Sequence, residues 1–102
     1  MAEDQAGVGG GSDGKFRPTG DAVAKRVGDE VVLVQLRTNR IYTLNRTGAR
    51  LWELLDEGHD LERARERMLR EFDVGEDRLR DEADALVDDL ITRGLLEPDG
   101  SA

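Results

Sequence analysis

The chain of 102 residues contains no cysteine and a single histidine. Without Cys, no disulfide or thiolate-bound metal can brace the fold. The one histidine, His59, lies in a polar segment beside Gly58. No Cys–His or multi-histidine centre can be built from that inventory, and no sequence neighbour marks His59 as one of a Ser–His–Asp set. It reads as a solvated loop residue. Long apolar runs are missing as well, and the longest fall far short of the roughly 20 residues a membrane helix requires. The N-terminal stretch has neither the apolar core of a secretory signal nor the Arg-rich amphipathic pattern of a transit peptide, so a cytoplasmic location is expected. Gly9-Gly10-Gly11 follows no strand, opens no helix and is not succeeded by Lys-Ser/Thr, which excludes a phosphate loop. No alternating oxygen-ligand loop for calcium is present. We therefore expect no catalytic residues, no metal and no cofactor, and the chain does not read as an enzyme.

What is abundant is charge. Asp and Glu number 23 against 15 Lys and Arg, for a net charge of −8 and a predicted pI near 4.6. Such a field on average repels polyphosphate, which disfavours nucleic acid, although the many Arg residues leave room for a local basic patch. Charged residues make up 37% of the chain, which predicts a soluble protein with ion pairs along its helices. Each such pair contributes little stability.

The glycine-rich opening predicts a disordered tail over residues 1–20, a folded domain over 21–97 and a flexible C-terminus over 98–102. The domain is small, on the order of eighty residues, a size at which one core is only marginally stabilising. Ala22 to Val27 alternates as a short strand, and Gly28-Asp29 signals a turn. Glu30 to Arg37 is a strong strand with apolar residues on both faces. Thr38-Asn39 suits a tight hairpin, since Asn tolerates the left-handed conformation. Arg40 to Leu44 returns, with Tyr42 and Leu44 on one face and Ile41 and Thr43 on the other. Asn45 breaks the strand, and either Asn45 or Thr47 can cap the following helix, which runs to Leu55. Gly58 offers a left-handed stop. A second helix starts at Asp60 as N-cap and carries Leu61, Ala64, Met68, Leu69 and Phe72 at helical spacing. A third spans Glu76 to Arg93, with Leu79, Ala83, Leu86, Val87, Leu90 and Ile91 in one stripe. The order is α+β: a three-stranded antiparallel sheet followed by three helices, in a winged helix-turn-helix-like arrangement.

With no chemistry visible, binding remains. The last strand of the meander is a candidate open edge, whose unpaired amides and carbonyls a peptide could complete. Arg37 and Arg40 would keep it from pairing with copies of itself. The alternative is that the third helix covers the edge.

The sequence Thr38-Asn39-Arg40-Ile41-Tyr42, then Leu44-Asn45-Arg46-Thr47-Gly48-Ala49, then Leu51-Trp52-Glu53-Leu54-Leu55 and Gly58, closing on Arg93-Gly94-Leu95-Leu96, resembles the PqqD-like proteins, or RiPP recognition elements. The resemblance runs from about Val23 to Leu96. It implies a leader-peptide-binding module of a ribosomal peptide natural-product pathway. There the leader of a precursor peptide adds beside the third strand and packs against the third helix. Carried onto this chain, the resemblance places Arg40, Ile41, Tyr42 and Thr43 on the pairing edge and Arg78, Asp81, Glu82, Ala85 and Asp89 on the cleft wall. The implied partners are the precursor peptide and either a leader peptidase, as in lasso-peptide pathways, or a radical SAM maturase, as in pyrroloquinoline quinone biosynthesis. No nucleic acid and no membrane is implied.

Plainer roles stand beside these. Leu44 and Trp52 suit the core, and Tyr42 suits the core or the ligand equally. Asp77, Asp81, Asp84 and Asp88 form a helical row; if it lined the cleft, the leader would carry Lys or Arg opposite. The rivals from other classes are a winged-helix DNA-binding regulator, resting on Arg63, Arg65, Arg67 and Arg70 amid Glu62, Glu66 and Glu71, and a purely structural subunit of a partner enzyme.

Overall fold

A computed structural model describes residues 14–99. The meander is formed by β2 (Ala22–Val27), β3 (Glu30–Gln35) and β4 (Arg40–Leu44), in that spatial order and antiparallel throughout. Register follows side-chain alternation. Val31, Leu33 and Gln35 oppose Leu44, Tyr42 and Arg40, and this is the face that turns toward the helices: Val31, Leu33, Gln35 and Leu44 are buried. Asn39 takes the left-handed conformation at φ 58° in the β3–β4 turn, as its short polar side chain permits. Three helices follow: α1 (Arg46–Asp56), α2 (Leu61–Glu71) and α3 (Glu76–Thr92). Asn45 is the N-cap of α1, its side-chain oxygen accepting from the Gly48 amide at 2.9 Å, and Asp60 caps α2 through the Arg63 amide at 2.8 Å. Gly75 precedes α3 without a side-chain cap, and Glu76 and Asp77 in its first turn complement the helix dipole instead. The three-strand, three-helix α+β order read from the sequence is the observed one. Among the described residues no helix is long and apolar enough to cross a membrane.

Two short strands fall outside that reading. β1 (Phe16–Pro18) pairs antiparallel with β5 (Leu96–Pro98). The tail expected to extend through residue 20 is thus ordered from at least Phe16, whose ring is buried in the core with Leu95 and Leu96; residues 1–13 of that expectation, and 100–102 of the expected C-terminal one, lie outside the described residues. A lone Phe among glycines carries no periodic signal, so its partner strand some eighty positions away is invisible to pattern reading.

Packing is dominated by aliphatic side chains. Leu33, Leu51, Leu54, Leu55, Leu61, Met68, Leu79, Leu90 and Leu95 are essentially inaccessible, and Trp52 joins them. The one buried polar side chain among the described residues, Gln35, is fully partnered. Its Nε2 donates to the carbonyls of Gly94 (2.9 Å) and Arg93 (3.3 Å), and its Oε1 accepts from the Arg37 amide at 2.8 Å. Gly94 O also accepts from Thr19 Oγ1 at 2.7 Å. Gly94 has φ +74°, and a Cβ there would lie 2.6 Å from Gln35 Nε2, so only glycine fits.

A second tie is ionic. Arg50 of α1 grips Glu71 of α2 through two bonds, Nε–Oε1 at 2.8 Å and Nη2–Oε2 at 3.0 Å, while Glu53 bridges Arg50 and Arg26 of β2. The Arg50 hydrogen bond holds the Glu71 carboxyl below its ordinary range.

Gly94→Ala combines backbone strain with a clash and should lower stability by more than about 1 kcal/mol. Gln35→Ala leaves buried groups unpartnered and should cost roughly 1–3 kcal/mol; chemical denaturation of both variants measures this. Because the Glu71 value is depressed on folding, its contribution is fully present above the ordinary Glu range and is lost as pH falls through the depressed value. Glu71→Gln should therefore cost up to about 1 kcal/mol at neutral pH, and the difference from wild type should vanish in acid. A pH series of denaturation midpoints that showed the gap widening in acid would contradict the assignment.

Candidate peptide-binding seam

β4 is an outermost strand of its sheet: it pairs with β3 on one side and with no described strand on the other. The polar backbone groups on its free side are therefore available to an added strand. α3 approaches this edge from the inner side at two places, the first just past its C-terminal end. The Arg93 guanidinium lies 4.7 Å from the centroid of the Tyr42 ring. Arg93 is also bonded to Asp89 at 2.9 Å. The Asp89 bond first, and the Tyr42 hydroxyl second, raise the Arg93 guanidinium above its ordinary value.

At the other end of the edge, Glu82 and Leu86 of α3 meet Asn45, Thr47 and Gly48 around a hollow of about 230 Å³ floored by Leu51 and Met68. Gly48 makes this approach possible, since a Cβ there would meet Leu86 Cδ2 at 3.2 Å. The flank of α3 that faces the edge is thus Glu82, Leu86, Asp89 and Arg93, in successive helical turns.

The sequence-derived residues divide accordingly. Arg40, Ile41, Tyr42 and Thr43 do form the outer strand, but with different orientations. Tyr42 points inward, half-buried beneath Arg93, whereas Ile41 and Thr43 point to the opposite face of the sheet and are exposed. Arg78, Glu82, Ala85 and Asp89 lie on or next to the seam-facing flank, and Arg78 pairs with Glu82 at 3.0 Å.

Asp81 does not join them. It lies about 100° further round the helix than Glu82, with Asp77, Asp84 and Asp88. Asp84 accepts from Arg65 of α2 at 3.0 Å, whereas Asp77, Asp81 and Asp88 are exposed. The aspartate row does not line the seam, because periodicity identifies a row without saying which neighbour it faces. Leu86, which the sequence places in the apolar stripe, and Arg93, which it places in the closing motif, also stand on the flank nearest the edge. A larger hollow, about 350 Å³ between α2 and α3, is lined by Glu62, Arg65, Glu66, Arg80 and Asp84; it is a solvated charge network on the far side of α3. The lone His59 Nε2 is 3.6 Å from Glu57 at the surface.

The fold is shared with proteins of known structure. The structure of TbiB1 in complex with the TbiA(beta) leader peptide has the same fold, with TM-score 0.74 and 27% identity over 84% of this chain and 98% of that one. Lasso peptide synthetase B1 complexed with the leader peptide superposes with TM-score 0.75 at 24% identity, over 82% of this chain and 99% of that one, and supports the fold alone. None of the curated proteins matches this chain. The family model for coenzyme PQQ synthesis protein D (PqqD) matches residues 30–96, which takes in β3, β4, all three helices and the start of β5 but leaves out β2. The chain belongs to the PqqD family.

Proposed function

We propose that this protein is a non-catalytic adaptor that captures the leader of a precursor peptide by strand addition to β4 and delivers the peptide to a separate modifying enzyme or leader peptidase. The observation that supports it most is the open β4 edge with α3 alongside: backbone bonds to the edge supply register and affinity, and pockets on the helix flank supply selectivity. The solved structure at 27% identity holds a leader peptide, which supports a leader as the ligand. Tethering the leader raises the concentration of the attached core at the enzyme without any chemistry by the adaptor itself. A DNA-binding role is less well supported: Arg65 of the Arg-bearing α2 is engaged by Asp84, and Glu62 and Glu66 share its surroundings.

The charges on the seam flank are matched among themselves, Arg78 with Glu82 and Arg93 with Asp89. Selectivity therefore rests on apolar contact at Leu86 more than on a basic leader. Leu86→Ala should weaken leader binding about tenfold, the scale of one buried anchor, while Asp81→Lys should change it by less than about twofold. Titration of a fluorescently labelled leader into the purified protein measures both.

Strand addition has its own signature. Leader peptides N-methylated at alternate backbone positions should fall into two classes. One set should bind at least about tenfold weaker through the loss of two or more edge bonds, and the complementary set nearly normally. Equal affinity for the two sets would refute pairing to β4.

A further inference from the structure

Among the described residues, the face of the meander turned away from the helices is uncovered and largely apolar. Register places Val23, Val34 and Ile41 side by side in one cross-strand row, with Lys25, Val32 and Thr43 in the next. Val23, Val27 and Ile41 are 46%, 53% and 67% exposed, and Leu36 at the hairpin is 52% exposed. The outer face of a solvated antiparallel sheet ordinarily alternates to polar residues. This one does so only at Lys25, Glu30 and Thr43. A contiguous apolar patch of this kind marks an interaction surface.

Charge says what kind of partner fits. Residues 14–45, which carry β1 to β4, hold six Lys and Arg against three Asp and Glu; residues 46–99, which carry the helices and β5, hold nine against seventeen. The molecule is electrically polarised, with its sheet end positive. A second copy meeting it sheet to sheet would oppose like charges, whereas an acidic surface would be drawn to the sheet end and repelled by the helical end. The patch is also continuous with the seam. Ile41 and Thr43 belong to the patch through their side chains and to the seam through their backbone. A leader strand added beside β4 would place every second side chain on this same face.

We propose that the outer face of the β2–β3–β4 sheet is the docking surface for the enzyme that receives the peptide. That partner would present an apolar patch bordered by carboxylates, and the bound leader strand would complete the surface so that the loaded adaptor docks in preference to the empty one. This rests on the adaptor reading and extends it: one strand serves capture on its edge and delivery on its outer face.

The test uses Val23→Glu, Lys25→Glu and Val27→Glu, all on β2 at the edge remote from the seam, with unchanged circular dichroism and thermal midpoint as the check on folding. Leader binding is measured with the labelled leader alone. Docking is measured by calorimetry with the leader peptidase of the same pathway, with and without saturating leader. The variants should bind leader within about twofold of wild type and bind the peptidase at least about tenfold more weakly, equivalent to ~1.4 kcal/mol. Wild type should bind the peptidase several-fold more tightly when loaded. Peptidase binding unchanged in all three variants, or identical for the loaded and empty protein, overturns the inference and leaves the adaptor reading standing. So does light scattering that shows a wild-type dimer which the variants dissolve, because the face then belongs to a second copy. Failure of wild type to bind leader at all overturns the adaptor reading instead.

Discussion

The buried amide of Gln35 is the constraint on which the working geometry depends. It stands at the end of β3, accepts from the Arg37 amide in the hairpin, and donates to the two carbonyls that end α3. One side chain therefore fixes three things at once: where the hairpin begins, where α3 stops, and how far apart they are. Thr19 adds a second donor to Gly94 O, and its amide donates to Leu95 O at 3.1 Å, which draws the β1–β5 ribbon into the same junction. A buried amide satisfied at both ends is directional in a way aliphatic contacts are not. The leucine core would tolerate small sliding of α3; this junction does not. Since Arg93 leaves the same turn and lies over Tyr42, the distance from α3 to the edge strand follows from the Gln35 bonds.

The two edges of the meander are not equivalent. β2 is the other outer strand. Its Arg26 reaches Glu53 of α1, itself joined to Arg50 and through it to Glu71. That network anchors the inner side of β2 to α1, with Arg46 stacked 4.9 Å from the Phe72 ring nearby. Among the described residues no such ion-pair network crosses the β4 edge. It meets α3 at Arg93 at one end and at the Leu86 hollow at the other. Exposed Arg37 and Arg40 next to the open backbone discourage self-pairing while leaving the amides accessible.

Much of this was legible in the chain because it is local. Alternation gave the three strands and the face of Tyr42 and Leu44. Asn45 or Thr47, Asp60 and Gly58 mark the helix boundaries, with Asn45 the observed first cap, and helical spacing marks the buried stripe of α3. What was not legible is relational. Phe16 carries no pattern, so β1 and its pairing with Leu96 were lost. The aspartate row at Asp81 and Asp84 and the flank at Glu82 and Leu86 are equally regular in sequence, and only the packing of α2 against α3 shows which one meets the edge. Gln35 occupies an inward position of an alternating strand, a misplaced polar residue by pattern alone. Its meaning needs Gly94, fifty-nine positions later, where any side chain would fill the space its amide requires.

The coupling of roles in β4 also limits how the strand can change. Five residues supply the inner face through Tyr42 and Leu44, the open edge through their backbone, and the outer face through Ile41 and Thr43. Because side chains alternate, slipping the register by one residue would exchange the inner and outer sets in a single step. Leu44 would be expelled and Ile41 and Thr43 driven beneath α3. The slip is blocked at both ends. Asn39 holds a left-handed conformation in the turn, and the Asn45 cap commits the next residue to α1. The hairpin cannot gain a residue without losing that turn, and the strand cannot lose one without unwinding the cap. An adaptor whose edge must accept a foreign strand in one register first needs its own edge strand held in one register, and these two asparagines, with Gln35 between the strands, are what hold it.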